Sequence, residues 1–157
     1  MERIILDARD AIGDLTPLKS DCGLMCGSAC CRPDDDGQGG VMLLPTEVAG
    51  DWGHVVESDR CRVLVCDKMC ERPSRPFLCR VFPLAPVLCK DGAWKARMDA
   101  RSRAMCPIYR SGIAGLDRVF VKAVERAFNI LSKDAAMNDF LRRVARQERY
   151  FRTQARL

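Results

Sequence analysis

The clearest pattern of hydrophobic and polar positions lies after Gly115, in the last third of the chain. Apolar residues recur there at about 100° per residue, which is the period of an amphipathic α-helix. The face predicted to be buried consists of Leu116, Val119, Phe120, Ala123, Val124, Ala127, Phe128, Ile130 and Leu131. The opposite, polar face consists of Arg118, Lys122, Glu125 and Asn129. This segment therefore predicts one long helix.

A second helix is predicted to begin near Asp134, whose side chain suits an N-cap. The residues expected on its buried face are Met137, Phe140, Val144 and Phe151. Because little chain separates the two helices, they are predicted to form a C-terminal helical hairpin over 113–157 that packs on the rest of the protein.

Residues 1–112 contain only short apolar runs. Residues 41–44 and 62–65 predict two short strands of one small sheet. A turn at Pro45 is predicted to lead into a short helix that ends near Trp52. This part of the chain is therefore expected to consist mainly of short strands and loops.

Glycine and proline divide the remaining segments. The first residues, up to Ile12, predict one or two helical turns. Four prolines within 72–86 exclude a long helix there and stiffen the backbone. After them, Asp91-Gly92 is predicted to be the turn of a hairpin between 87–89 and 94–97.

Composition supports a single folded domain over 1–157, of the α+β class. Apolar residues make up 48% and charged residues 30% of the chain, which is typical of a globular protein. We expect the cysteine-rich part to cover 1–112 and the helical hairpin to cover 113–157. The formal net charge is +5, and the excess of basic residues lies in the hairpin.

Part of that excess forms a basic stripe within an arc of about 120° on the second helix. The stripe consists of Arg142, Arg146, Arg149, Arg152 and Arg156. A solvated outer face is the ordinary interpretation. An acidic protein partner, an anionic membrane surface or a nucleic-acid backbone would also suit it. Of these alternatives a protein partner is expected, and nucleic acid is not.

Ten cysteines are the strongest chemical signal of the chain. Seven occur in two tight groups, within 22–31 and 61–70, and three follow singly. Charges interrupt the apolar run at the start of the chain, so it does not have the form of a secretion signal. No apolar segment approaches the length of a membrane span. We therefore expect a cytoplasmic protein whose cysteines are thiols or metal ligands rather than disulfides.

The residue types favour a site made of sulfur ligands. His54 is the only histidine, so a zinc site of the usual kind would have to be almost wholly cysteine. Sulfur-only sites suit zinc and iron–sulfur clusters alike. The Cys-x2-Cys pairs of zinc ribbons are absent from this sequence, which favours a cluster, of the 4Fe-4S type, over zinc. Either group with four thiolates has a net charge near −2, which would offset the basic excess.

Glycines indicate where the ligands are. Gly23 and Gly27 each follow a cysteine, and they disfavour a continuous helix and favour a loop that curls round a metal. The expected metal ligands are Cys22, Cys26, Cys30, Cys31, Cys61, Cys70, Cys79 and Cys106. Cys66 and Cys89 are as well explained as small buried residues. Because Cys30 and Cys31 are adjacent, one of them is expected to reach a second site or to pack in the core.

These positions also form a motif. It runs Cys22-x3-Cys26-x3-Cys30-Cys31, then Cys70, then Arg75-Pro76-x2-Cys79-Arg80-x-Phe82-Pro83, and ends at Cys106. This motif resembles the YkgJ-type cysteine cluster family, a zinc- or iron-chelating domain whose first intervals are x2 rather than x3. The segment Thr46-Glu47 is similar to an acidic segment of that family.

The resemblance implies metal chelation and no particular reaction. Larger relatives look like flagellin lysine methylases, but this chain has no G-x-G-x-x-G, so that activity is not expected here. Arg75 and Arg80 of the motif are expected to contact the bound group, because guanidinium groups offset negative charge and donate to sulfur.

Three functional hypotheses follow. The first is a metal-binding protein that transfers electrons or handles a cluster, or in which zinc is structural. The second is a zinc-stabilised interaction module that binds an acidic partner or nucleic acid through the basic helix. The third is a component of a redox or methyl-transfer enzyme whose catalytic subunit is separate. No nucleophile–base pair is recognisable, so the chain itself is not expected to be an enzyme.

Overall fold

Longer helices precede and follow a cysteine-rich middle along the sequence in the computed structural model, which describes residues 3–32, 40–57 and 61–154. The α-helices are α1 (Arg3–Ile12), α2 (Gly23–Cys26), α3 (Phe77–Val81), α4 (Arg118–Leu131) and α5 (Ala135–Gln154). The strands are β1 (Val41–Met42), β2 (Gly53–Glu57), β3 (Arg62–Cys66), β4 (Leu84–Leu88) and β5 (Trp94–Met98). The predicted α+β class is confirmed.

Short 3-10 helices connect several of these elements. They comprise Ala29–Cys31, Arg72–Ser74, Ala100–Arg103, Pro107–Ser111 and Ile113–Gly115. Across the described ranges, no helix combines the length and the apolar character that crossing a bilayer requires.

Two small antiparallel sheets form the β part. In the first, β3 lies between β1 and β2, and Gly53 of β2 pairs with Cys66 of β3. A Cβ atom on Gly53 would lie 1.8 Å from the carbonyl oxygen of Val65, so only glycine permits this pairing. The expected sheet of two short strands is thus confirmed, with β2 as a third strand.

The second sheet is the predicted hairpin of β4 and β5. Its turn is set by Gly92, at φ +85°, and by Asp91, whose carboxylate accepts a hydrogen bond from the backbone N–H of Ala93. β4 begins at Leu84, earlier than the sequence indicated. The hairpin lies beside α4 and α5: α4 contacts β5 more than β4, and α5 packs on β4.

One hydrophobic core joins residues from Ile5 of α1 to Val144 of α5. The rings of Phe77 and Phe128 meet edge to face with their centroids 6.2 Å apart, which links α3 to α4. The two C-terminal helices follow each other as predicted. They pack mainly on different parts of the core, however, because α4 lies chiefly against α1, whereas α5 lies against β4 and the 3-10 helix Ala100–Arg103.

Two residues predicted to be buried are exposed. Val119 is 60% exposed because it lies about 100° from Phe120 around α4, outside the apolar face. Phe151 is 45% exposed because the buried face of α5 ends at Glu148, so the helix extends past the core.

The predicted polar face of α4 is partly an internal contact. The side-chain amide of Asn129 donates to the carbonyl of Trp94 at 2.7 Å and accepts from the N–H of Trp94 at 3.1 Å. Glu125 accepts from the backbone N–H of Ala96 at 3.4 Å. Both residues therefore attach α4 to the edge of β5 rather than face solvent.

The short helix expected after Pro45 is not present between Glu47 and Trp52. Thr46 has φ +61°, a left-handed conformation that does not start a right-handed helix. The carboxylate of Glu47 is buried and accepts a hydrogen bond from the backbone N–H of Leu44 at 3.0 Å. That bond closes a tight turn, and the chain continues without regular structure to β2.

The basic stripe of α5 is shorter than predicted. Arg142, Arg146 and Arg149 are exposed. Arg152 is partly buried, because it forms an ion pair with buried Glu148 and donates to the carbonyl of Met98. Arg156 lies outside the described residues.

Candidate metal centre

A broken helix brings the first cysteines together. Cys22 precedes α2, which ends at Cys26 because Gly27 adopts a left-handed conformation with φ +57°. Ser28 is also left-handed, and the chain then enters the 3-10 helix Ala29–Cys31. The predicted interruption of the helix is confirmed, because Gly27 ends it and Cys30 then lines the same cavity as Cys22 and Cys26. That these cysteines bind metal stays a prediction.

A first cavity lies between this loop and the segment after the β4–β5 hairpin. Its cysteines are Cys22, Cys26, Cys30, Cys79 and Cys106. Phe82 and Pro83 contribute apolar walls, and Met25 and Met105 lie at its edge with side chains partly exposed to solvent. This first cavity therefore joins thiols from three distant parts of the sequence.

A second cavity adjoins the first. Its cysteines are Cys30, Cys31, Cys66, Cys70 and Cys79. Lys68 and Met69 line it, as does Arg75, which also faces the first cavity. The two cavities thus share Cys30 and Cys79, and together they contain eight thiols.

Several elements hold these thiols in place. Cys66 ends β3, where pairing with Gly53 fixes its position. Cys79 lies on α3, and its N–H donates to the carbonyl of Pro76 at 3.0 Å. Cys106 follows a 3-10 helix, and its N–H donates to the carbonyl of Ser102 at 2.8 Å. Helices and a strand, and not loops alone, therefore position these cysteines around the cavities.

Burial affects the protonation of these thiols. It raises the pKa of Cys79, and nearby Cys31, Cys66 and Cys70 raise that pKa further. Burial likewise raises the pKa of Cys22. Buried thiols of this kind are protonated at neutral pH, so a metal must displace protons to bind them.

Cys30 and Cys31 interact with each other directly. Their sulfur atoms are 4.0 Å apart, within hydrogen-bonding distance of each other. This hydrogen bond lowers the pKa of Cys31 to about 6, with a further contribution from the positive charge of Arg75. The same interaction raises the pKa of Cys30. Cys31 is therefore the thiol of the pair that ionises first.

Three arginines line the first cavity together with the thiols. Arg72, Arg75 and Arg80 line the first cavity, and the Nε atom of each is buried with no hydrogen-bond partner among the described residues. The terminal nitrogens of two are anchored, Arg72 to the carbonyl of Leu15 and Arg80 to the carbonyl of Gly13 at 2.6 Å. Buried unsatisfied donors are rare in folded proteins. The donor set fits an anionic group such as a metal–thiolate centre.

Seven of the eight predicted ligands line the cavities, and Cys61 does not. It precedes β3 at the end opposite Cys66, roughly 16 Å away along an extended strand. Cys66 lines the second cavity. The sequence is equally compatible with a small buried residue at this position. Cys89 lies at the turn of the β4–β5 hairpin, where its N–H donates to the carbonyl of Ala93.

The predicted arginines Arg75 and Arg80 both reach the site, and Arg72 joins them. Arg72 lies in the same proline-rich segment, beside Pro73, and that position was the only available signal for it.

The thiols are near one another without forming a closed site. Within residues 3–32, 40–57 and 61–154, no group of three or more histidine, cysteine or acidic side chains already has the geometry that holds a metal ion. Binding would therefore require cysteine side chains to rotate inward. Such rearrangement is consistent with sites in which metal binding and local folding are coupled.

No protein-family model matches the chain, and no curated protein or solved structure is significantly similar to it. The resemblance to the YkgJ-type family thus depends on the cysteine and arginine pattern.

Proposed function

We propose that this chain is a metal-binding protein in which clustered cysteine thiolates hold zinc or an iron–sulfur cluster. The observation that carries the proposal is the meeting of eight thiols and three buried arginine donors around two adjoining cavities. Buried donors without partners are rare, and cysteines that only fill the core would not explain three of them at this place. The YkgJ-type motif supports the same function.

Charge balance supports an anionic centre at this place. A divalent zinc ion or a 4Fe-4S cluster held by four thiolates has a net charge near −2. Arg72, Arg75 and Arg80 supply positive charge and N–H donors on the cavity walls. A bound cluster would supply one-electron redox chemistry, whereas zinc would supply cross-links between segments that are distant in sequence.

The biological role proposed depends on the metal. With an iron–sulfur cluster, the protein would transfer electrons or deliver or sense a cluster. With zinc, the metal would be structural. A reducing cytoplasm is the proposed compartment, because cysteines that bind metal must stay reduced rather than form disulfides.

Anaerobic purification followed by metal analysis, sulfide analysis and visible absorption tests the proposal. We expect stoichiometric zinc in a colourless protein, or iron with acid-labile sulfide in a coloured one. Cys26→Ser and Cys79→Ser should lower the metal content. Cys89→Ser, at the distant hairpin turn, is the matched control and should leave it unchanged. Wild-type protein that contains neither zinc nor iron after anaerobic purification would refute the proposal.

A second candidate function is a metal-stabilised interaction module that binds an acidic protein partner through α5. It is favoured by the exposed aromatic rings of Tyr150 and Phe151, which lie next to exposed Arg146 and Arg149. Aromatic and arginine side chains are enriched at protein interfaces. Arg146→Gln with Arg149→Gln should weaken binding to an acidic peptide at low salt. Equal binding by the variant and the wild type would exclude this surface.

A further inference from the structure

We infer that the eight thiols form two separate four-cysteine metal sites, and that the adjacent residues Cys30 and Cys31 belong to different sites. The first site comprises Cys22, Cys26, Cys30 and Cys106. The second site comprises Cys31, Cys66, Cys70 and Cys79. This inference rests on the proposed function and adds the number of centres, the division of the ligands and a role for Cys66.

The cavities themselves divide most of the ligands. Cys22, Cys26 and Cys106 line only the first cavity, and Cys31, Cys66 and Cys70 line only the second. Each cavity therefore has three cysteines of its own. A tetrahedral thiolate site needs four ligands, so each set is one cysteine short.

The two shared cysteines complete the sets. Cys79 lies near Cys31, Cys66 and Cys70, which are the three cysteines found only in the second cavity. Cys30 is near Cys22 and Cys26, which belong to the first group, as well as its neighbour Cys31. Assigning Cys79 to the second site and Cys30 to the first gives each site four thiolates and leaves none over.

The backbone explains how neighbouring cysteines can separate. Cys30 and Cys31 lie on the 3-10 helix Ala29–Cys31, which has about three residues per turn. Their side chains therefore leave the helix about 120° apart. Inward rotation of each side chain would take one sulfur into each cavity. Division of one cysteine run between two centres also occurs in two-cluster ferredoxins.

Arg75 is suited to the wall between two such sites. It lines both cavities, and its buried Nε has no partner among the described residues. Two centres of net charge near −2 would repel each other at close range, and a guanidinium group between them reduces that repulsion.

Counting the zinc ions retained by cysteine variants tests the division. Zn(II) is the probe because four thiolates bind it tetrahedrally. After anaerobic loading and treatment with a chelator that removes weakly held zinc, wild type should retain two ions per chain. Cys26→Ser and Cys66→Ser should each retain one. Cys61→Ser is the matched control and should retain two.

The double variants give the decisive result. Cys26→Ser with Cys30→Ser should still retain one zinc ion, since both changes fall in the first site. Cys30→Ser with Cys31→Ser should retain none, since each change removes a different site. Retention of one ion by the Cys30/Cys31 double variant would overturn the division.

A measurement on wild type avoids dependence on variant folding. Stepwise removal of zinc, with alkylation and mass analysis of the exposed thiols, should release the cysteines as the two stated sets of four. Release of all eight together, or one zinc ion per wild-type chain, would overturn the division but leave the proposed function in place. A chain that binds neither zinc nor iron would overturn both.

Discussion

The carboxylate of Glu47 accepts a hydrogen bond from the backbone N–H of Phe77, with 2.7 Å between Oε1 and the nitrogen. Phe77 is the first residue of α3, so the carboxylate acts as a cap for the helix that contains Cys79. The second oxygen accepts from Leu44, and Arg9 of α1 lies 3.5 Å from the carboxylate. One buried side chain thus joins α1, the turn after β1 and the helix of the candidate site.

Removing this side chain should destabilise the protein strongly. Glu47→Ala leaves two buried backbone N–H groups without an acceptor, and we expect the free energy of unfolding to fall by about 2–5 kcal/mol. Urea denaturation measures the change. Glu57→Ala removes an exposed ion pair with Arg62 and should cost less than about 1 kcal/mol. Equal effects of the two substitutions would contradict the role of Glu47.

Glu47 should also contribute a defined pH dependence. Burial raises the pKa of Glu47, so the folded state favours its protonated form more than the unfolded state does. The stabilisation from this group is therefore full below the unfolded pKa of about 4.3 and is lost as pH rises through the folded pKa. The stability of wild type relative to Glu47→Gln should accordingly decrease as pH is raised from about 4.5 to 7. A stability difference that does not vary with pH would show that the carboxyl is not perturbed.

Arg75 should tune metal affinity without being a ligand. We expect Arg75→Gln to weaken metal binding about 10–100-fold, because it removes the charge and the donors next to both cavities. Competition with a chelator of known affinity measures this effect. Arg75→Lys keeps the charge but not the fixed Nε donor, so its metal affinity should lie between that of Arg75→Gln and that of wild type. Arg142→Gln, on the exposed face of α5, is the control and should bind metal as wild type does.

Metal loading should release protons. Burial raises the pKa of Cys22, Cys66 and Cys79, so these thiols are protonated near pH 7 and must lose their protons to bind metal. We expect close to one proton released per bound cysteine with a raised pKa, and weaker binding as pH falls. A pH indicator in lightly buffered solution measures the release on zinc addition. Loading without proton release would mean that the thiols were already ionised.

The contact between α4 and the hairpin should account for part of the stability. Asn129 exchanges two hydrogen bonds with the backbone of Trp94. Asn129→Ala should lower the free energy of unfolding by about 1–3 kcal/mol, since both backbone groups lose their partner. Thermal denaturation of this variant can be compared with Lys122→Ala, whose side chain is exposed on the same helix. We expect the lysine variant to unfold as wild type does.

Local pattern was sufficient to predict most of the regular structure. The period of the C-terminal third predicted α4 and α5, and Asp91-Gly92 predicted the β4–β5 hairpin. These features depend on neighbouring residues, which determine helix caps and turn conformations. Val119 and Phe151 were misplaced because periodicity indicates a face but not where the core ends.

The residue types of the candidate site could be predicted from the sequence. Which of the cysteines line it could be predicted less well. Cys61 and Cys66 stand at opposite ends of β3, and their spacing from the other cysteines does not tell which end meets them. That choice is made by the pairing of β3 with β1 and β2, which involves distant segments. Glu47 and Arg72 likewise act through long-range contacts, with Phe77 and with Leu15 respectively.

The distribution of the thiols along the chain has a consequence for biosynthesis. Every cysteine of the proposed second site has left the ribosome once Cys79 has emerged. The proposed first site is incomplete until Cys106 follows, and α4 and α5, which supply much of the core, come later still. A nascent chain would therefore offer the cell's metal supply one complete ligand set before the other, and both before the mature core exists.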